Sequence, residues 1–179
     1  MVDFLFFVQY NNTVAMIEIL CGEANMTAAL ERVRNAIKPY PDLKIILFDE
    51  STHTSELAAR AVGVEVAQIA KTLMFLADGR PLLVVACGGR KIDTKKLAKI
   101  LGAKKVRFAD AESVFRTTGF EPGGVCPFGL DPSVELCIDR GLYDYDVVYA
   151  AAGTANSALP ISPERLREII QARIVDVAI

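Results

Sequence analysis

Residues 66–79 read V-A-Q-I-A-K-T-L-M-F-L-A-D-G, and this stretch decides the class of fold. Apolar residues recur at helical spacing from Val66 to Leu73, so the segment is predicted to begin as a helix with one buried face. Leu73–Ala77 then predicts a core strand, and Asp78-Gly79 is typical of the turn between two hairpin strands. A helix that leads into a hairpin indicates an α+β domain with a mixed sheet.

Lys71 is the only ionisable residue between Val66 and Ala77. The pattern predicts that it lies where the helix passes into the strand, with apolar neighbours on both sides. A lysine in such a place either extends along its aliphatic stem to reach water or holds its ammonium at the wall of a pocket. The residues alone leave both interpretations open.

A second distinctive stretch is residues 117–129, T-T-G-F-E-P-G-G-V-C-P-F-G, with four glycines and two prolines. Such a run continues neither a helix nor a central strand. Glycine lets the backbone adopt positive φ and bring N–H groups close to a ligand, while proline stiffens the loop. The run therefore predicts either a long structural turn or a cradle of backbone donors for a carboxyl or phosphate group.

The rest of the chain alternates between helical and strand patterns in a single domain, because 179 residues suit one core and no repeat or linker interrupts them. Capping residues and terminal glycines or prolines predict helices at residues 28–38, 55–62, 94–101 and 111–115, and one that begins at Ser162-Pro163-Glu164. Strands are predicted at residues 43–48, 81–87, 106–109, 135–139, 147–152 and 174–178.

The composition excludes several classes of protein. The chain is 52% hydrophobic and 23% charged, as in a globular domain without a disordered tail. No apolar run approaches the ~18–20 residues of a membrane helix, and the first basic residue is Arg32, so the start lacks the cationic region of a signal peptide. We therefore expect a cytoplasmic protein. Four scattered cysteines and the lone His53 predict neither a zinc site nor a disulfide framework.

The charge is unevenly distributed although the net charge is only −2. Residues 90–107, here called the basic segment, hold eight Lys or Arg against the single acid Asp93, whereas residues 131–146 are mainly acidic. A local basic surface can bind phosphates even on an acidic protein. The alternative is an ordinary solvated helix face.

Short motifs in a fixed order resemble the YbaK/prolyl-tRNA synthetase editing-domain family. The string Q-I-A-K-T-L at residues 68–73 resembles the family signature Q-x-x-K-[ST]-L. T-G-F at 118–120 and G-G-V-C-P at 123–127 are similar to the family's T-G-[YF] and G-x-x-x-P loop. K-I-D at 91–93 with K-L-A at 96–98, and V-Y-A-A-A-G at 148–153, resemble two further segments.

This resemblance implies a strongly curved, barrel-like mixed sheet covered by helices, with the editing domain spanning residues 26–179. Residues 1–25 would be an N-terminal extension, either an extra hairpin of strands at 4–10 and 13–20 or read-through from an upstream start codon. The implied activity is hydrolysis, in trans, of the ester between tRNA and a small wrong amino acid (alanine, cysteine, serine or threonine). The implied partners are aminoacyl-tRNA and a prolyl-tRNA or other synthetase, without a cofactor, a metal, a membrane or DNA.

The resemblance also implies roles for particular residues. Lys71 would be catalytic. The expected substrate-binding residues are Thr72, Thr118, Gly123, Gly124, Val125, Pro127 and Gly153, and backbone N–H groups at residues 123–125 would stabilise the oxyanion. The expected RNA-binding residues are Lys95, Lys96, Lys99, Lys104 and Lys105. For the two threonines, helix capping or strand polarity is an equal alternative.

Other candidates have weaker support. Cys126 has no neighbouring cation in the sequence to lower its pKa, which argues against a nucleophile. His53 is expected on the surface or at the rim of the pocket, and Asp139 is expected to orient a loop or to bind a backbone donor. Some relatives carry a serine and an aspartate after the late strand; here that stretch offers Thr154, Asn156 and Ser157, which are candidates for a different pocket.

Two other functions remain open. A non-catalytic RNA-binding or synthetase-associated module would keep the same fold. A nucleotide or phosphate-ester enzyme is less well supported, because the glycine-rich run matches neither G-x-G-x-x-G nor the P-loop and no metal-binding acids accompany it.

Overall fold

The computed structural model describes residues 28–50 and 52–179. The hairpin predicted within residues 1–25 lies outside these residues. The described chain forms five α-helices: α1 (28–37), α2 (Ser55–Val62), α3 (Thr94–Leu101), α4 (Ala111–Thr118) and α5 (Pro163–Ile170). Two 3-10 turns lie at Val66–Gln68 and Arg140–Asp144. In this part of the chain no helix has the length and apolarity needed to cross a membrane.

Eight strands form one mixed sheet: β1 (Ile46–Leu47), β2 (Ile69–Ala77), β3 (Arg80–Cys87), β4 (Val106–Phe108), β5 (Glu135–Asp139), β6 (Val148–Ala151), β7 (Ser157–Ile161) and β8 (Arg173–Val175). Their order is β1-β7-β6-β2-β3-β5-β8, with β4 paired to β2 beside this path. The pairs β2–β6, β3–β5 and β5–β8 are parallel, and the others are antiparallel. The sheet is curved but not a closed barrel, since β1 and β8 end it on opposite sides.

The β2–β3 hairpin occupies the centre of the sheet and defines an opening beside β2. Strand β3 pairs with one edge of β2 from Ala70 to Ala77. On the other edge, β6 pairs with Ile69 and Ala70, and β4 pairs with residues 75–77. Among the described strands, none pairs with residues 71–74 on this second edge, which we call the edge gap.

The two faces of the sheet are covered separately. One face, which includes Met74 and Leu83, packs against α1 and the chain that follows α4, and its cluster contains Val33 and Phe120. The other face, which includes Phe75, packs against Leu97 and its neighbours on α3. A smaller cluster joins Ala58 and Ala59 on α2 to Ile69 and Tyr149. Each large side chain buried here stabilises the fold by ~1.5–3 kcal/mol.

The helix predicted over residues 66–70 is the main error in the secondary-structure prediction. Only Val66–Gln68 is helical, as a 3-10 turn, and β2 already begins at Ile69. Lys71 is therefore the third residue of a central strand, opposite Ala86 of β3. A short apolar run buried on both faces has no distinctive period, so the helix and strand patterns could not be separated.

Other differences are smaller. The strand predicted at 43–48 shortens to β1, the final strand ends at Val175, and the helix predicted to end at Phe115 continues to Thr118. Strand β7 was not predicted, because Pro160 within a short run argues against a strand. It pairs with β6 nevertheless, with Pro160 opposite Tyr149.

Predictions that rest on local backbone chemistry are confirmed. The Asp93 carboxylate accepts hydrogen bonds from the N–H groups of Lys95 and Lys96 at the start of α3. Ser162 caps α5 in the same manner. Gly63 and Gly102 end their helices in the left-handed conformation, at φ +82° and +66°.

Candidate functional site

A cavity of about 370 Å³ opens at the edge gap. Its walls come from residues 69–73 of β2, residues 52–58 around the start of α2, the glycine loop (residues 119–129), and residues 149–158 of β6, β7 and the turn between them. The cavity can form here because, within residues 28–50 and 52–179, no strand pairs with β2 between β6 and β4.

Lys71 and Thr72 both line the cavity although successive side chains of a strand point to opposite faces. They can do so because the cavity lies at an edge of β2 and is bordered by both faces. Val125 belongs to the cluster on the Thr72 face, and Ala58 on α2 belongs to the cluster that contains Ile69, on the Lys71 face.

Lys71 lines the cavity, and its ammonium is bound to the backbone. Its Nζ donates a hydrogen bond to the backbone carbonyl of Arg90, in the turn after β3. Burial lowers the pKa of Lys71, while the negative charge of Glu56 on α2 and, more weakly, Cys87 act to raise it. Of the two interpretations left open by the sequence, this geometry favours the pocket wall.

The Thr72 hydroxyl is buried and has no hydrogen-bond partner among the described residues. Thr72 is only 8% exposed. A buried hydroxyl without a partner costs ~1–3 kcal/mol. Thr72 lines the cavity, but its Oγ1 has almost no accessible surface, so a ligand gains this hydrogen bond only if the wall shifts to uncover the oxygen.

The glycine loop approaches the cavity through Gly123, whose φ is +92°. A Cβ on Gly123 would lie 3.2 Å from the carbonyl oxygen of His53, so only glycine allows this close contact. His53 is exposed and lines the cavity, at the rim where it was expected.

The three backbone donors predicted in this loop are not equivalent. The Gly124 N–H donates to the Glu121 carbonyl at 3.0 Å and is therefore occupied, which corrects the prediction for this group. Gly123 and Val125 line the cavity and remain the candidate donors. Gly124 packs behind the wall, where a Cβ would lie 3.2 Å from the Thr154 carbonyl carbon.

The polar side of the cavity is formed by Thr154, on the turn between β6 and β7, and by Ser157, the first residue of β7. Their hydroxyl oxygens are 2.8 Å apart, and Ser157 also accepts a hydrogen bond from the Thr154 N–H. Asn156, the third candidate, instead donates from its amide to the Phe48 carbonyl. The Thr52 hydroxyl donates a hydrogen bond to the Ala155 carbonyl. This bond and the bond from Asn156 to Phe48 together fix the turn to the chain that precedes α2.

Besides Gly124, three of the predicted substrate-binding residues do not line the cavity. The Thr118 hydroxyl is buried at the end of α4, where it donates to the Val114 carbonyl and accepts from the Phe120 N–H. Gly153 has a φ of +97°, and a Cβ placed on it would lie 3.0 Å from the ring of Phe120. Pro127 lines a separate cavity between α1 and α5. For Thr118 this contact pattern favours the capping interpretation.

Two further expectations have a clear outcome. Burial raises the pKa of the Cys126 thiol to about 12, so it is protonated at neutral pH and unsuited to act as a nucleophile. The Asp139 carboxylate, buried in the core, accepts hydrogen bonds from the N–H groups of Gly141, Val177 and Ala178, which confirms that it binds backbone donors.

Sequence reasoning missed the small-residue walls of the cavity. Ala58, Ala70 and Ala158 line it, together with the ring of Tyr149. The run V-Y-A-A-A-G was recognised as a motif, but alanines in a strand indicate a core position as readily as the wall of a site.

The lysines predicted to bind RNA are exposed on α3 and on the turn before β4. Lys96 pairs with Asp176 at 3.1 Å. The backbone N–H groups of Lys104 and Lys105 donate to the Asp78 carboxylate at 2.9 Å, which fixes that turn and leaves their side chains toward solvent.

Comparison with known proteins identifies the family. Residues 49–169 match the model of the aminoacyl-tRNA editing domain, and the chain belongs to this family. A 128-residue stretch, 71% of this chain and 81% of the relative, is 39% identical to the uncharacterized protein YwhH of Bacillus subtilis (strain 168). A candidate Cys-tRNA(Pro)/Cys-tRNA(Cys) deacylase, EbsC of Enterococcus faecalis, is 26% identical over 84% of this chain and 92% of its own length.

Two further comparisons show the same relationship. A proline–tRNA ligase of Bacillus licheniformis is 30% identical over 73% of this chain, which corresponds to 21% of the ligase. The crystal structure of a candidate trans-editing enzyme for prolyl tRNA synthetase superposes with a TM-score of 0.78 and 32% identity, covering 83% of this chain and 96% of that one.

Proposed function

We propose that this protein is a trans-editing hydrolase that removes a small wrong amino acid from tRNA. The observation that carries the proposal is the cavity at the edge gap, where Lys71, Thr72 and the glycine loop meet in a member of the editing-domain family. The ester bond between the amino acid and the tRNA 3′ end would lie in this cavity. The protein would act in the cytoplasm, where tRNA is charged, alone or beside a prolyl-tRNA or other synthetase.

The chemistry required of the protein is modest. Water attacks the ester carbonyl, and negative charge develops on the carbonyl oxygen. The bond between the carbonyl carbon and the ribose oxygen then breaks, a proton from the attacking water passes to that ribose oxygen, and the free amino acid and uncharged tRNA leave. The Lys71 ammonium, held by Arg90, would stabilise this charge or hold the adjacent phosphate, and the N–H groups of Gly123 and Val125 would add to the effect. A protonated Cys126 takes no part.

The substrate side chain would be small. The cavity volume is near the lower end of ligand pockets, which span ~300–1,000 Å³. Alanines form much of its wall, and Thr72, Thr154 and Ser157 provide the polar contacts. Alanine, cysteine, serine and threonine are the candidates. Editing of such residues is needed because a synthetase pocket separates side chains that differ by one methylene by only ~1–3 kcal/mol.

The test is a deacylation panel with tRNAs that carry alanine, cysteine, serine, threonine or proline, using the wild type and Lys71→Ala. We expect the wild type to hydrolyse at least one small wrong ester and to spare the correct one. Lys71→Ala should lose at least ~10²-fold in rate, the scale of one oxyanion donor.

Lys38→Ala is the matched control, because Lys38 is an exposed lysine on another surface and should keep full activity. Circular dichroism checks that both variants are folded. A folded Lys71→Ala protein with normal turnover would contradict the proposed mechanism. Tight tRNA binding without hydrolysis of any ester would instead favour the non-catalytic module.

A further inference from the structure

We propose that Phe108 is a stacking platform for an unpaired base of the tRNA 3′ end, placed just outside the cavity. The inference rests on the proposed function for the identity of the RNA. It adds an aromatic contact outside the cavity, next to the last cations of the basic segment.

Phe108 is an aromatic residue that the fold leaves open. It is 55% exposed, while Phe75, directly opposite on β2, is fully buried. The two ring centroids are 4.4 Å apart with an angle of 38° between the planes. Phe75 thus supports Phe108 from one side, and a large part of the outer ring faces solvent.

The register of the sheet places Phe108 in line with the cavity. Residues paired across antiparallel strands share a face, so Phe108 lies on the same face as Phe75, and therefore as Leu73 and Lys71. Strand β4 also borders the edge gap, and the Ala109 N–H donates to the Met74 carbonyl at 3.1 Å. Phe108 therefore lies at the end of the gap opposite β6.

The distance suits a short single strand. Phe75 is the fourth residue after Lys71 along β2, which corresponds to about 13 Å at ~3.3 Å per residue. Stacked nucleotides rise ~3.4 Å each along a strand. If the ester lies beside Lys71, a base within about four nucleotides of the 3′ end reaches Phe108, and this part of tRNA is unpaired.

The surrounding charge fits the same ligand. Lys104 and Lys105 immediately precede β4, and Arg107 lies within it. The side chains of all three are exposed. The Arg107 guanidinium donates to the Phe108 carbonyl at 3.3 Å. An exposed aromatic ring beside cations that follow the backbone is the usual arrangement for binding single-stranded nucleic acid.

The direct test uses a fluorescent single-stranded RNA that ends in C-C-A, with affinity measured by anisotropy. Phe108→Leu keeps apolar cover over Phe75 but removes the aromatic face, and should weaken binding about 5- to 100-fold. Phe108→Tyr should bind like the wild type. Because stacking involves no counterion release, the salt dependence of Phe108→Leu should parallel that of the wild type.

Ile174→Ala is the matched control, since Ile174 is 47% exposed on β8 at the far end of the sheet and should leave binding unchanged. A probe with abasic sites in place of its last four bases should bind wild type and Phe108→Leu equally. Wild-type affinity in a folded Phe108→Leu protein would overturn the proposal.

Kinetics separates this inference from the proposed function. On charged tRNA, Phe108→Leu should raise KM and leave kcat close to the wild-type value. If the wild type deacylates tRNA and Phe108→Leu has an unchanged KM, the stacking platform is wrong and the enzyme assignment stands. If no ester is hydrolysed but RNA binding still depends on the aromatic ring, the enzyme assignment is wrong and the platform stands.

Discussion

At the scale of single residues, the ionisation of Lys71 is set by opposing influences. Burial disfavours the charged form, and Glu56 favours it. Cys87 acts in the same direction as Glu56 but more weakly, and burial raises the pKa of its own thiol. Glu56 is therefore the charge through which the lysine pKa can be tested.

Glu56→Gln should move the pH dependence of deacylation. The active form carries the ammonium, so the rate falls as the pH rises through the pKa of Lys71, which burial already holds below the ordinary lysine value. Removal of the Glu56 charge lowers that pKa further, so the fall should occur at lower pH. The measurement is kcat from pH 6.5 to 10 with spontaneous ester hydrolysis subtracted.

Glu164→Gln, an exposed acid in the first turn of α5, is the control and should retain the wild-type profile. Superimposable profiles for Glu56→Gln and wild type would show that the titration of Lys71 does not govern the reaction.

At the scale of elements, the glycine loop and the hairpin turn after β2 share a backbone feature. Gly123 and Gly79 have nearly the same positive φ, +92° and +86°. A Cβ on Gly79 would meet nothing within 4 Å, whereas one on Gly123 would meet His53. The same substitution at both positions therefore separates backbone strain from an effect on the site.

Gly123→Ala and Gly79→Ala should each lower the free energy of unfolding by ~1–2 kcal/mol, the cost of a Cβ in a left-handed conformation. Only Gly123→Ala should reduce deacylation, because relief of the contact with His53 moves the loop away from the cavity. Thermal melting and deacylation rates measure the two effects. Equal activity in the two variants would show that the loop position does not matter for catalysis.

At the scale of the whole molecule, charge is segregated. The basic segment includes α3 and the turn before β4, whereas residues 131–146 carry mainly acids. A protein of net charge −2 can still bind RNA if the phosphates meet only the basic side. Since Lys96 is paired with Asp176, the exposed lysines Lys95, Lys99 and Lys105 are the better probes.

Reversal of these three charges to glutamate should raise KM for charged tRNA more than it lowers kcat. The wild-type KM should increase steeply with salt. The slope of log KM against log salt concentration should be smaller for the variant, by ~0.7–0.9 for each phosphate contact that is lost. Reversal of Lys38, Lys44 and Arg167, which are exposed outside the basic segment, is the control. If the wild-type KM does not change with salt, the basic segment is an ordinary solvated surface and does not contact RNA phosphates.

The sequence by itself determined the features that depend on neighbouring residues. Asp78-Gly79 specified the hairpin, Asp93 and Ser162 began their helices, and Gly63 ended another, because these effects act within a few residues of the backbone. The ordered motifs were sufficient to identify the editing-domain family and its mixed sheet.

The features that depend on pairing between segments distant in sequence were decided only by the tertiary structure. Pairing with β3 and β6 made residues 69–72 strand rather than helix, and the separation of β6 from β4 created the edge gap. It also brought Gly123 beside Lys71 and Thr72, and kept Thr118 away from the cavity. Partners distant in sequence leave no local period, so the position of the site follows from strand pairing that no single segment encodes.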